Sequence, residues 1–121
     1  MEKHLFVKIY GEAARMAGEL FGMNPVVILA QGAIESGWGE SVLAVKYHNL
    51  FGITGYGVAN AYWHGGKTDL GKGGLLFRRY DTPEHSFMDF DRLIFCLPPG
   101  CGSQFLPGGV CTRDCLQPVY Q

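Results

Sequence analysis

The sequence has little net charge and no long apolar run. Ten lysines and arginines face eleven aspartates and glutamates, so the formal net charge is −1, which gives no support for a nucleic-acid partner or an anionic membrane surface. No apolar run is long enough to cross a bilayer, and the start, Met1 to His4, has no basic segment followed by a hydrophobic one. We therefore predict no membrane insertion and no export signal in this chain.

The composition is that of one globular domain. The 121 residues are 47% hydrophobic and 13% aromatic, which is enough to build a core and is not typical of a disordered chain.

Apolar residues recur at three- and four-residue spacing in the first part of the chain. This spacing predicts helices over about residues 3–20, 25–36 and 40–47. Gly22 is a natural stop for the first helix, and Asn24 followed by Pro25 is an N-cap with proline at the first helical position. The second helix is apolar on every face from Val26 to Ala30, which predicts a central helix packed on several sides. In the third helix we expect three residues to point inward: Val42, Leu43 and Val45.

The middle of the chain changes character. Glycines and aromatics from His48 to Gly57 predict loops and short extended pieces. Turn-forming glycines follow at short intervals, so any hairpin is small, with one strand expected within residues 74–80. Thr82 and Pro83 repeat the cap-then-proline arrangement and open a last helix. Its predicted buried stripe is Phe87, Phe90, Leu93 and Ile94.

One carboxylate, Glu35, lies at the end of the second helix. Gln31 shares its face, since residues four apart in a helix lie together. A carboxyl group placed against so much apolar surface loses hydration, which favours the protonated form that a general acid needs. Gly37 and Gly39 flank Trp38 where the chain leaves this helix, and we expect at least one of these glycines to have positive φ.

Three separated motifs carry a family resemblance. They are residues 28–41, which include Glu35, residues 49–55 and residues 77–90. In this order they resemble the peptidoglycan-cleaving glucosaminidases of glycoside hydrolase family 73, over about residues 4–94. The resemblance implies an α+β, mainly α, lysozyme-like domain over residues 1–94 with a small β-hairpin lobe. It also implies cleavage of the β-1,4 bond after N-acetylglucosamine in peptidoglycan.

The resemblance places the family's general acid at Glu35. In many members a second carboxylate lies on the hairpin. In this chain the hairpin segment contains one acidic residue, Asp69. Its position beside Gly71 is equally typical of a solvated aspartate in a turn. The acetamido group of the substrate takes the nucleophile's part in some hydrolases of amino sugars. Retaining, inverting and substrate-assisted routes therefore stay open.

Six further residues are candidates for substrate contacts. The aromatic ones either stack on sugars or pack the core. Gln31 either hydrogen-bonds the acid or caps the helix, and the Asn49 amide either touches a sugar or holds its loop. The six residues are Gln31, Trp38, Tyr47, Asn49, Phe51 and Tyr56. The expected partner is the peptidoglycan strand, bound by a monomer without cofactor or metal at the bacterial cell wall, if the chain is exported. Two alternatives remain: a catalytically weak or inactive glycan-binding remnant of such an enzyme, and a cysteine-based metal module.

Residues 95–121 depart from the family pattern. Prolines, glycines and four cysteines occur there without a helical or strand period, at Cys96, Cys101, Cys111 and Cys115. The cysteine spacing does not match a zinc ribbon, and disulfides would need an oxidising compartment. We predict an aberrant tail, produced by a frameshift or gene-model error, that packs poorly, leaves its cysteines unpaired and makes the domain incomplete.

Overall fold

A computed structural model describes residues 1–71 and 73–96 of the chain. Most of these residues are helical, and one small antiparallel sheet is added to the helices. The elements in chain order are α1 (Lys3–Phe21), α2 (Pro25–Glu35), α3 (Val42–Tyr47), β1 (Lys67–Asp69), β2 (Leu76–Arg78) and α4 (Pro83–Phe95). This architecture confirms the predicted α+β, mainly α class.

The first helix, α1, ends as predicted at Gly22, whose φ of 69° is left-handed and suits glycine. Small residues on α1 allow α2 and α4 to pack closely against it. At Gly18 a Cβ would lie 2.6 Å from the carbonyl oxygen of Met23. Only some of the apolar residues that recur along α1 are buried. Several of the large ones point away from the described core. The exposed ones are Leu5, Ile9, Met16 and Leu20.

The second helix, α2, has the predicted cap, since the Asn24 side chain accepts a hydrogen bond from the Val26 amide at 2.9 Å. The expectation that α2 is packed on several sides is wrong for the described part of the chain. Ile28 and Ala33 are buried, whereas Val26 and Ile34 are each 72% exposed. The described elements cover only one side of this helix, so the apolar residues on its other side stay exposed.

The third helix, α3, is shorter than predicted and begins at Val42. Ser41 ends the preceding turn and caps α3, because its hydroxyl accepts from the Ala44 amide at 3.1 Å. Leu43 points inward as expected, but Val42 and Val45 are exposed. Their expected burial is wrong for the reason that applies to α2: the described chain covers one face only.

The β lobe is the small hairpin that the turn signals predicted. Its two strands pair antiparallel, with Thr68 opposite Phe77. The segment before the hairpin adds to β2, since Gly55 donates to the carbonyl of Leu76 and the Arg78 amide donates to the carbonyl of Ile53, both at 2.9 Å.

The last helix, α4, closes the core against α1 and α2. Thr82 caps it as predicted, accepting from the His85 amide at 3.2 Å. Phe87 and Leu93 are buried, and Phe90 is partly buried and stacks on Phe51 at 4.1 Å. The apolar stripe did not predict that this helix also buries polar residues, namely Ser86, Asp89, Asp91 and Arg92.

Most of the predicted tail, residues 95–121, lies outside the described residues, and so do Cys101, Cys111 and Cys115. Cys96 is described: it is the buried C-cap of α4 and is disulfide-bonded. The expectation of an unpaired thiol is therefore wrong for Cys96, because the spacing of cysteines along the chain does not determine which ones meet. Within residues 1–71 and 73–96, no helix is long and apolar enough to cross a membrane.

Candidate active site

Glu35 is the last residue of α2, and its side chain is exposed to solvent. The predicted apolar surroundings of this carboxyl are absent from the described part of the structure, because neighbouring Ile34 also points outward. Gln31 lies one turn earlier on the same face, and its Nε2 donates to Glu35 Oε1 at 3.4 Å. The free carboxyl is thus accessible, with one neighbouring amide to orient it.

A tight turn follows Glu35. Gly37, Trp38 and Gly39 all have positive φ, of 58°, 57° and 78°, which confirms the expectation for the two glycines. Ser36 is 1% exposed and holds the turn from inside. Its hydroxyl donates to the carbonyl of Gly32 at 2.6 Å and accepts from the Gly39 amide at 2.8 Å. These contacts fix the backbone on which Glu35 is carried.

Trp38 is partly buried between this turn and α1. Its ring meets Phe6 edge-on, with centroids 5.5 Å apart, and the ammonium of Lys3 lies 5.2 Å from the ring centre. The ring therefore packs against the core and leaves part of its surface available.

Asp69 ends β1 and is exposed. Its Oδ1 accepts from the Gly71 amide at 2.7 Å, which is the local turn contact expected of an aspartate in this position. The next residue, Leu70, lines a cavity of about 290 Å³ together with Ser41 and Leu43. The segment that carries Asp69 therefore meets the chain where the turn after Glu35 ends.

Asn49 and Phe51 are buried inside the loop that joins α3 to the β lobe. The Asn49 amide donates to the carbonyls of Ile53 and Arg78, at 3.0 and 2.9 Å, and its oxygen accepts from two amides of its own loop. The sequence left two roles open for Asn49, a contact with a sugar or support of the loop. The observed hydrogen bonds are those of a side chain that supports the loop. Phe51 packs against two rings of α4.

Tyr47 and Tyr56 are partly exposed. Their backbone carbonyls tie the β lobe together, because Tyr47 accepts from the Tyr80 amide at 3.0 Å and Tyr56 accepts from Arg78 Nη2 at 2.6 Å. Among the described residues, no three His, Cys, Asp or Glu side chains are arranged to hold a metal ion.

Residues 11–114 match the glucosaminidase family, described as mannosyl-glycoprotein endo-beta-N-acetylglucosaminidase. The chain belongs to this family. This finding confirms the resemblance that was read from the three motifs, and it makes the domain a member of a glycoside hydrolase family.

Two curated relatives of this glucosaminidase domain are 31% and 30% identical to it over the aligned residues. Exo-glucosaminidase LytG of Bacillus subtilis is 31% identical over 97 residues, which cover 77% of this chain and 34% of LytG. Peptidoglycan hydrolase FlgJ of Vibrio parahaemolyticus is 30% identical over 102 residues, which cover 74% of this chain and 32% of FlgJ. The chain therefore spans about one third of the length of these relatives.

A solved structure agrees with the lysozyme-like fold. The glycoside hydrolase domain of FlgJ from Salmonella typhimurium superposes with a TM-score of 0.64 at 30% identity, and the match covers 78% of this chain and 62% of that domain.

Proposed function

We propose that this glucosaminidase domain hydrolyses the β-1,4 bond after N-acetylglucosamine in the glycan strands of bacterial peptidoglycan, with Glu35 as general acid. The observation that carries the proposal is the Glu35 carboxyl itself, exposed at the end of α2 on a turn that buried Ser36 holds in place. Such an arrangement presents an acid to a long substrate without a change in the backbone.

The chemistry asks Glu35 to protonate the oxygen of the leaving sugar while an oxocarbenium-like transition state develops. Gln31 donates to Oε1, which leaves Oε2 to carry the proton. A glycan strand lying over the carboxyl displaces water from it, and loss of hydration favours the neutral acid.

Asp69 is the proposed second carboxylate. Its Oδ1 is engaged by the Gly71 amide, so Oδ2 is the atom left to act on a water molecule or on the sugar. If Asp69 has no such role, the acetamido group of the substrate takes the nucleophile's place. Trp38, Tyr47 and Tyr56 keep exposed surface on which sugar rings can stack.

The test is the Glu35→Gln variant on purified bacterial cell walls. Glutamine keeps the size of the side chain but has no proton to give, so release of new reducing ends should fall by about two orders of magnitude or more. Glu19→Gln, a matched change on the exposed side of α1, should digest walls at the parent rate. If Glu35→Gln does so as well, Glu35 is not the acid.

The products test the bond and the mode of attack. An N-acetylglucosamine at the new reducing end supports the proposal, whereas N-acetylmuramic acid would refute the bond assignment. Fragment length separates internal from terminal cleavage. The family description names an endo-enzyme, whereas the relative LytG is named an exo-glucosaminidase.

A glycan-binding role without hydrolysis is the second candidate. It is favoured by the open surroundings of Glu35, next to the 72% exposed Ile34, because no described apolar side chain encloses the carboxyl. Under this alternative the parent chain sediments with purified walls and releases no reducing ends.

A further inference from the structure

We propose that a basic cavity between the end of α3 and the β lobe binds a carboxylate of the peptide stems that peptidoglycan strands carry. The cavity has a volume of about 480 Å³, and its charged lining consists of Lys46, His48, His64, Arg79 and Asp81. The identity of the ligand rests on the proposed function; the binding of an anion rests on the cavity alone.

Three separate segments bring these side chains together. Lys46 and His48 end α3, His64 precedes β1, and Arg79 follows β2. Backbone hydrogen bonds join the segments: the Tyr80 amide donates to Tyr47, and the Arg79 amide donates to Gly66 at 2.9 Å. The whole chain has only ten lysines and arginines, four histidines and a net charge of −1. A generally basic sequence therefore does not explain why one lysine, one arginine and two histidines line the same cavity.

The lining of the basic cavity has more cationic than acidic side chains. Asp81 is its one acidic lining residue, and Asp81 Oδ2 lies 2.8 Å from His64 Nδ1. Across the described residues, neither Lys46 nor Arg79 forms an ion pair. Counted over lysine, arginine and aspartate alone, two cations against one carboxylate leave +1 in the cavity, which attracts an anion.

The Arg79 guanidinium lies against Gly66, which has no side chain. A Cβ at Gly66 would lie 3.1 Å from Arg79 Nε and 3.3 Å from Nη2, so the guanidinium occupies the space that any other residue would fill. The Gly66 backbone is itself anchored, since Trp63 Nε1 donates to its carbonyl at 2.7 Å. A planar guanidinium suits a planar carboxylate, to which it can donate two parallel hydrogen bonds.

The basic cavity and Glu35 are joined by a short stretch of chain. Lys46 follows Glu35 by eleven residues, six of which form the turn from Ser36 to Ser41. The helix α3 then has six residues, a length of about 9 Å at 1.5 Å per residue. Stem peptides branch from the glycan and carry free carboxylates, so the proposal has one strand occupy both places.

The binding test uses the Glu35→Gln chain, so that hydrolysis does not disturb it. A stem tetrapeptide with free carboxylates is titrated while the imidazole NMR signals of His48 and His64 are followed. We expect a saturable shift of both signals, at least tenfold weaker binding of the same peptide with its carboxylates amidated, and no comparable shift with inorganic phosphate. Equal binding of the amidated peptide, equal binding of phosphate, or no shift at all overturns the proposal.

Variants locate the site. Arg79→Gln and Lys46→Gln should each weaken tetrapeptide binding at least fivefold, and Gly66→Ala should do so by displacing Arg79. Lys8→Gln, which removes a cation from α1, is the matched control and should bind as the parent does. If Lys8→Gln and Arg79→Gln weaken binding equally, the effect is one of general charge and the site is not the basic cavity.

A hydrolysis assay separates this proposal from the proposed function. In the chain with Glu35 intact, Arg79→Gln should lower the ratio of kcat/KM on stem-bearing strands to kcat/KM on strands stripped of peptide at least fivefold. An unchanged ratio contradicts stem recognition during turnover. If the parent hydrolyses neither substrate, the proposed function fails, while the titration still decides whether the cavity binds the carboxylate.

Discussion

Arg78 and Asp89 form an ion pair that is completely buried between the β lobe and α4. Arg78 Nη1 lies 2.6 Å from Asp89 Oδ2, and both side chains are 0% exposed. The remaining Arg78 donors bond to the carbonyls of Thr54 and Tyr56, and its guanidinium carbon lies 3.9 Å from the centre of the Trp63 ring. The Arg78 side chain therefore links α4 to the backbone and the tryptophan ring of the β lobe region.

Asp89 completes the arrangement from the side of the helices. It also accepts from the Tyr80 hydroxyl, Asn60 Nδ2 and Arg92 Nε. Burial, together with the nearby Asp89 charge, raises the pKa of Tyr80 well above its usual value, so the phenol stays protonated as a donor. One carboxylate therefore joins the lobe that carries Asp69 to the helices that carry Glu35.

Asp89→Asn should lower the stability of the whole domain. The change leaves Arg78 buried without a counter-charge, and breaking a buried ion pair from one side costs about 3–5 kcal/mol. Urea unfolding followed by circular dichroism measures the loss. Glu12→Gln is the control, because it breaks an exposed ion pair with Arg15 and should leave the midpoint unchanged. Equal midpoints for the two variants would show that the buried pair does not hold the lobe in place.

Asp69→Asn distinguishes the possible routes of hydrolysis. Asparagine can keep the turn contact with the Gly71 amide through its side-chain oxygen, so the fold should be retained. A loss of activity as large as that of Glu35→Gln identifies Asp69 as a second catalytic carboxylate. Unchanged turnover favours substrate assistance, which a substrate without the acetamido group then checks by failing to react.

The ends of the helices were predictable because their signals are local. Gly22, Asn24 and Thr82 each act on backbone groups within a few residues, and the structure shows the left-handed stop and the two side-chain caps where the sequence indicates them. The positive φ values of Gly37 and Gly39 follow from equally local chemistry.

Burial was less predictable because it depends on which segments meet. An apolar residue such as Ile34 is buried only if another element covers it, and in the described structure none does. The polar residues Asp89 and Asp91 are buried although they interrupt an apolar stripe. The partners of Asp89 lie up to 29 residues away, so no helical or strand period reveals them.

Alanine at Gly37 or Gly39 should destabilise the turn that carries Glu35. A side chain in the left-handed region costs about 1–2 kcal/mol. At Gly39 a Cβ would also lie 3.3 Å from the Phe6 ring, so Gly39→Ala should be the worse variant and should also reduce hydrolysis.

Gly11→Ala is the matched control for the two turn glycines. Gly11 lies inside α1 with open space around it, and alanine there should stabilise the helix by about 1 kcal/mol. Differential scanning calorimetry of the three variants checks the order. Equal stability of all three would mean that the turn relaxes without cost.

Asp91→Asn should change how the stability of the domain depends on pH. The Asp91 side chain is 0% exposed, and neither carboxylate oxygen has a hydrogen-bond partner in the described structure. Burial raises the pKa of Asp91 from 3.8 to about 7. Between these values the unfolded chain has lost the proton that the folded chain keeps, so the free energy of unfolding falls as pH rises, by at most about 1.4 kcal/mol per pH unit.

Asparagine has no proton to lose in this range, so the advantage of Asp91→Asn over the parent should grow from pH 4.5 to about 7 and then level off. Urea midpoints at half-unit steps of pH give the difference directly. Glu2→Gln removes an exposed carboxyl that makes no capping bond, and its difference from the parent should stay flat over the same range. A flat difference for Asp91→Asn as well would contradict the buried, unpaired state of this carboxyl and would mean that water reaches it in solution.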